Sequence, residues 1–198
     1  MSEVSIVGID LAKSVFQVHG ADSTGGVVIG KKLRPVLAVI ADSLKALQSQ
    51  IALLDREIAA LAKADAVARR LMTIPGVAPI VATALVALAP AANTFRRGRD
   101  FAAWLALTPR QHSSGGKERL GRTTKMGERS LRRLLILGTS SATKIAARDP
   151  SKASGWLVGM LARKPRMLVT VALANKMARI VWASMAHGGS YRAPATAV

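Results

Sequence analysis

An apolar residue recurs at alternating steps of three and four along Leu37, Ile40, Leu44, Leu47, Ile51, Leu54, Ile58 and Leu61. No Pro or Gly interrupts this segment, and Gln48, Gln50, Arg56 and Glu57 fall off the seam. Such spacing is that of a helix presenting a narrow apolar stripe to another helix. A coiled-coil helix is therefore expected over residues 36–65. Its partner is either a second copy, giving a homo-oligomer through residues 37–61, or a C-terminal helix folded back on the seam. Left in water, the seam would exceed the apolar patch a soluble monomer usually exposes.

Ahead of Pro35 the pattern is different. Val4–Asp10 (VSIVGID) and Val15–His19 (VFQVH) are rich in β-branched residues and read as strands joined by the LAKS link. A Gly-rich turn follows, and Val27–Leu33 reads as a third strand. A ribbon of this size is marginal by itself. The expected fold is thus mainly α with a short N-terminal antiparallel β ribbon, then the long heptad helix, then a helical domain.

Charge divides the chain as sharply as periodicity does. Residues 1–65 carry 7 Lys or Arg against 7 Asp or Glu, whereas residues 66–198 carry 22 against 4 and so hold the whole net charge of +18. A domain so basic repels itself unless anions are close, which points to nucleic acid as partner. The chain has no Cys, so disulfides and thiolate chemistry are excluded. The acidic, weakly apolar N-terminus does not resemble a signal peptide. Val77–Ala92 is apolar but short and contains Pro79 and Pro90, so no membrane span and a cytoplasmic location are expected.

In the basic part, short helices are expected over 66–73, 80–89 and 99–106, and longer ones over 127–147, 152–163 and 166–186, with a disordered tail from Gly188. Residues 69–88 (RRLMTIPGVAPIVATALVAL) have the form of a helix-hairpin-helix element: Gly76 permits a sharp turn, and amides near the second helix start can meet a phosphate. Arg69 and Arg70 would add long-range attraction. A tight turn packed inside the domain fits the same residues. Trp104, Trp156 and Trp182 lie in apolar helical surroundings and read as core.

Residues 111–125 (QHSSGGKERLGRTTK) are Gly- and Ser-rich and aperiodic, so a loop is expected. Ser113 and Ser114 precede a glycine pair that would present their hydroxyls. Arg110, Lys117, Arg119, Arg122 and Lys125 surround them, and Arg129, Arg132 and Arg133 open the next helix. Such a clamp can position DNA or stabilise charge on a transferring phosphoryl group. A linker that merely touches phosphate has the same composition. His112 is placed to act as a base or simply to sit exposed in the loop.

Asp10 ends the first strand, where an RNase H-like nuclease carries its first metal-binding acid. Two-metal chemistry needs further convergent carboxylates. Asp22 lies in a turn, and Asp42, Asp55 and Glu57 lie on the heptad helix, so none is expected to join it.

VGIDLAKSVFQVHG, IPGVAPIVATALVA and FAAWLALTPRQHSSGGKERLGRTTKMGERSLRRLL together resemble the Piv-like DEDD transposases of bacterial insertion sequences. The resemblance covers residues 4–33 and about 41–187. It implies a RuvC-like domain holding Mg2+ through three Asp and one Glu, a coiled-coil linker, and a C-terminal domain with a serine that attacks DNA. It implies DNA as partner and, for some members, a structured guide RNA. Asp10 matches the first metal-binding acid and Ser114 the catalytic serine, with Ser113 the alternative one residue away. Arg119, Lys125, Arg132 and Arg133 fall around that serine. The family's long stretch between ribbon and helix, with its other three acids, has no counterpart here. On this reading residues 1–35 are a remnant of the RuvC-like domain, 36–65 the coiled coil, 66–187 the transposase domain and 188–198 the tail. The expected function is DNA binding in transposition or site-specific recombination, with a metal site too incomplete to hold Mg2+ stably. Two alternatives stand beside it: a subunit completed by an intact partner's carboxylates, and a non-catalytic basic helical nucleic-acid binder.

Overall fold

The computed structural model describes residues 6–12, 15–21, 23–25, 34–117, 119–124 and 126–192. It is mainly helical with short antiparallel strand pairs, and divides into two compact units, Met1–Leu54 and Asp55–Val198.

In the first unit β1 (Ile6–Ala12) pairs antiparallel with β2 (Val15–Ala21). The register sets Ile6 opposite Ala21 and Ala12 opposite Val15. Leu11 and Ala12, expected in the link, are strand residues. Asp10 therefore does not end the strand but sits inside it, opposite Gln17. The expected third strand, Val27–Leu33, lies outside the described residues.

Helix α1 runs from Arg34 to Ala64, three residues beyond the heptad seam at each end. Leu47, Ile51, Leu54 and Leu61 on the seam are each more than half exposed. By length and composition alone, Leu37–Ala64 could cross a membrane. It also carries Asp42, Lys45, Asp55, Arg56, Glu57 and Lys63, and such charges cost about 2.5–3.5 kcal/mol each at a bilayer centre.

The second unit is built from α2 (Ala66–Leu71), α3 (Pro79–Leu88), α4 (Gly98–Trp104), β3 (Pro109–Gln111), β4 (Leu120–Thr123), α5 (Arg129–Arg148), α6 (Gly155–Arg163) and α7 (Arg166–His187). Its core gathers Leu71, Ile74, Leu85, Phe101, Leu105, Leu131, Leu135, Val169 and Val181, all fully buried. α7 runs through that core, packed against α5 and α4. Ala174 and Ala178, small and buried on α7, let neighbouring backbones approach. Between α5 and α7 the buried polar groups are satisfied internally. The Thr143 and Thr170 hydroxyls lie 3.1 Å apart, and Thr139 Oγ1 donates to the Leu135 carbonyl at 2.9 Å.

Helix starts absorb the few acids. Asp65 Oδ1 accepts from the Ala68 amide at 2.7 Å, Asp100 Oδ2 from Arg97 at 3.1 Å, Glu128 Oε1 from Ser130 at 2.9 Å and Asp149 Oδ1 from Ser151 at 3.2 Å. Each satisfies an amide left open at a helix start. Asp65, Asp100 and Glu128 also place negative charge at the positive end of an α-helix dipole, whereas Asp149 follows the C-terminus of α5 and caps a 3-10 turn over Pro150–Lys152.

Of the segment 188–198 expected as a tail, residues 188–192 are described, and they are tied to the domain. The Tyr191 amide donates to Thr73 Oγ1 at 2.8 Å, and its half-buried side chain packs on the core. Ser184 Oγ donates to the Gly189 carbonyl at 3.0 Å. A single aromatic anchor overrides a polar, Gly-rich composition.

Candidate nucleic-acid interface

The segment expected as a loop, 111–125, is largely a β-hairpin. β3 and β4 pair antiparallel, with Pro109 opposite Thr123 and Gln111 opposite Leu120 and an irregularity between these pairs. Beyond the strands the His112 amide donates to the Arg119 carbonyl at 2.8 Å, and Ser114 bridges Lys117, whose amide donates to the Ser114 carbonyl at 3.2 Å. The tip is Ser114-Gly115-Gly116-Lys117. Gly115 and Gly116 have φ of +58° and +79°. Positive φ at both central residues is the mirror-image turn whose twist matches a hairpin, and glycine adopts it without steric cost. The glycine pair was the available signal. Polar three- and four-residue strands without alternation hid it.

This geometry separates the two serines. Ser113 Oγ accepts from the Arg119 amide at 3.3 Å and so belongs to the hairpin's internal bonding. Ser114 stands exposed at the turn, and its hydroxyl makes no hydrogen bond among the described residues. Nor does a hydrogen bond among those residues link His112 to either serine. Its ring instead lies across Gly121, where a Cβ would come within 2.6 Å of Cδ2 and 2.7 Å of Nε2. His112 lines an open cavity of about 500 Å³ with Arg110, Arg122, Thr123, Thr124 and Met126.

The basic residues sort by what they touch. Arg110, Lys117, Arg119 and Arg122 are exposed on the hairpin, and Arg129 and Arg133 are exposed on α5. None of these pairs with a carboxylate among the described residues. Arg132 is different: its Nη1 donates to the Met126 carbonyl at 3.3 Å, fixing the approach to α5. Lys125 lies outside the described residues.

The α2–α3 turn supports packing more than display at its glycine. Gly76 has φ +85°, and a Cβ there would meet the Gly138 carbonyl of α5 at 3.1 Å. Arg69 is exposed, whereas Arg70 is half-buried with Nε enclosed and unpartnered. Pro79 takes the first helical position of α3, where its missing N–H costs nothing.

Among the described residues no three His, Asp or Glu form a group able to hold a metal ion.

The expectation that Trp156 is core is corrected: it is 38% exposed, and Lys176 Nζ lies 4.4 Å from its ring centroid. Trp104 and Trp182 are half-buried against the core.

Residues 68–153 match the pattern of the Transposase IS116/IS110/IS902 family. That segment carries the family's pattern. It is 46% identical over 157 residues to a probable family 20 transposase of Pseudomonas aeruginosa, covering 79% of this chain and 46% of the relative. With the putative transposase y4pF/y4sB of Sinorhizobium fredii it shares 45% identity over 184 residues, 92% of this chain and 42% of that one. The transposase for insertion sequence element IS1111A of Coxiella burnetii is 38% identical over 138 residues, 70% of this chain and 38% of its own length. The chain thus spans less than half the length of these curated relatives. The transposase segment includes the whole β3–β4 hairpin and α5.

Proposed function

We propose that this chain is a DNA-binding member of its transposase family, and that the β3–β4 hairpin with the start of α5 is the surface that meets the phosphate backbone. The observation that carries this reading is the placement of Arg110, Lys117, Arg119 and Arg122 on one hairpin with an open serine, exposed and, among the described residues, unpaired with carboxylates. Contacts of this kind read charge rather than base sequence. Structured RNA therefore fits the same surface and would compete with DNA for it. A cytoplasmic location accompanies this reading.

Within it, Ser114 is the hydroxyl suited to DEDD-type serine chemistry. Its Oγ would bond to phosphorus, the phosphorus–oxygen bond to one sugar would break, and the serine proton would pass to a base while the leaving oxygen takes up another. An aliphatic hydroxyl is weak at neutral pH without such a base. The arginines stabilise charge but cannot remove a proton, and His112 faces Gly121. The chain by itself is therefore a binder that does not cut or join DNA. An incomplete acid set around Asp10, left by internal shortening of a longer transposase, gives the same outcome.

A second reading is favoured by the exposed seam on α1: a subunit that pairs through this helix with an intact relative and borrows its carboxylates. One pair of measurements tests both. Gel shifts on duplex DNA at rising salt should give binding that weakens steeply. Incubation with supercoiled DNA and magnesium should yield a covalent protein–DNA adduct only when a full-length relative is added. No binding at low salt overturns the first reading, and an adduct formed by the chain alone overturns the claim of inactivity.

A further inference from the structure

A groove beside α7, whose aromatic and cationic groups lie C-terminal to the matched segment 68–153, has no acid in its lining. Trp156 stands in the first turn of α6, with over a third of its surface open, and the Lys176 ammonium is held 4.4 Å from its ring centroid. Arg179, three residues along α7, is exposed and has no carboxylate partner among the described residues. The floor is rigid. Asn175 Nδ2 donates to the Leu107 carbonyl at 3.2 Å, and Trp182 Nε1 donates to the Ala92 carbonyl at 3.1 Å. Gly98 of α4 completes it, since a Cβ there would meet Trp182 Cε3 at 3.1 Å and Arg179 Cα at 3.2 Å. The resulting open cavity is about 630 Å³, within the range that holds a small ligand.

We propose that this groove binds an unpaired nucleotide of a single-stranded segment, its base stacked on Trp156 and its phosphate met by Lys176 and Arg179. The proposal rests on the nucleic-acid reading above but concerns a separate surface. Charge and shape together select the occupant. A purely apolar ligand would leave two cations without a partner, and an inorganic anion would make no use of the indole. A planar base joined to a phosphate uses both. A base inside a duplex is already stacked and presents no free face, so the groove discriminates in favour of single strands. Lys176 takes one face of the indole, which leaves the opposite face for a base.

The test uses the whole chain with fluorescein-labelled oligothymidylate and a labelled duplex of equal length, followed by anisotropy and by quenching of tryptophan emission. Trp156→Ala should weaken single-strand binding about tenfold, the effect of losing one stacked base, and leave duplex binding within about twofold. Trp156→Phe should restore most of the lost affinity, which a folding defect would not allow. Lys176→Ala should weaken the single strand more than the duplex. Equal losses for both probes, or none for the single strand, overturn the proposal while leaving duplex binding by the hairpin intact. Failure of the unmodified chain to bind either probe overturns both readings.

Discussion

Gly138 of α5 lies against Gly76 of the α2–α3 turn so closely that a methyl group on Gly138 would collide with the Gly76 carbonyl oxygen. The two glycines thus pack as one unit, although 62 positions separate them in sequence. Gly138→Ala should destabilise the domain by about 1–3 kcal/mol, the usual range for overpacking. Gly76→Ala, at φ +85°, should cost about 1–2 kcal/mol from backbone strain alone. Urea unfolding measures both, and a Gly138→Ala midpoint equal to the parent's would contradict the close approach.

The two hairpin serines should behave differently when truncated. Ser113→Ala removes the acceptor for the Arg119 amide and should loosen the hairpin, seen as faster amide exchange at Arg119. Ser114→Ala should leave exchange and DNA affinity unchanged, yet abolish any adduct this chain forms in a mixture with a full-length relative. An adduct on this chain surviving Ser114→Ala would remove that serine from the chemistry.

Salt dependence should report the hairpin arginines one by one. Each phosphate that Arg119→Ala or Arg122→Ala leaves without its cation should reduce the slope of log affinity against log salt by about 0.9. Arg132→Ala should act by another route, since its guanidinium holds the Met126 carbonyl, and should lower stability as well as affinity. An unchanged slope in the hairpin variants would move the interface elsewhere.

The seam of α1 should drive association between copies. Paired Leu47→Glu and Leu54→Glu substitutions should convert an oligomer to a monomer in sedimentation equilibrium without loss of helical circular dichroism. A parent chain already monomeric at high concentration would show that the seam needs no second copy.

Much of this fold is legible in the sequence because periodicity and punctuation agree. The heptad repeat marks α1, and Pro79, Pro150 and Pro165 sit where helices begin or break. What escapes depends on packing between distant segments. Nothing near Tyr191 signals that Thr73 accepts its amide, and nothing near Gly138 signals the turn it abuts. The hairpin escapes for a local reason, since its strands are too short and polar to alternate. At the candidate site, the basic residues and the serine pair are visible in composition, but only the turn geometry tells Ser113 from Ser114. Trp156 is misleading because its apolar neighbours in GWLVGML line the core while the indole does not.

The three described carboxylates of residues 66–198, Asp100, Glu128 and Asp149, and Asp65 just before them, all face helix starts. With these negative groups bonded to helix amides, the described part of the domain offers a long polyanion many more cations than acids. Many overlapping registers along a duplex then have nearly equal energy, separated by shallow barriers. On the proposed DNA-binding reading, such a protein would travel along DNA between collisions instead of finding every site from bulk solution, and the length of each excursion should shorten as salt is raised.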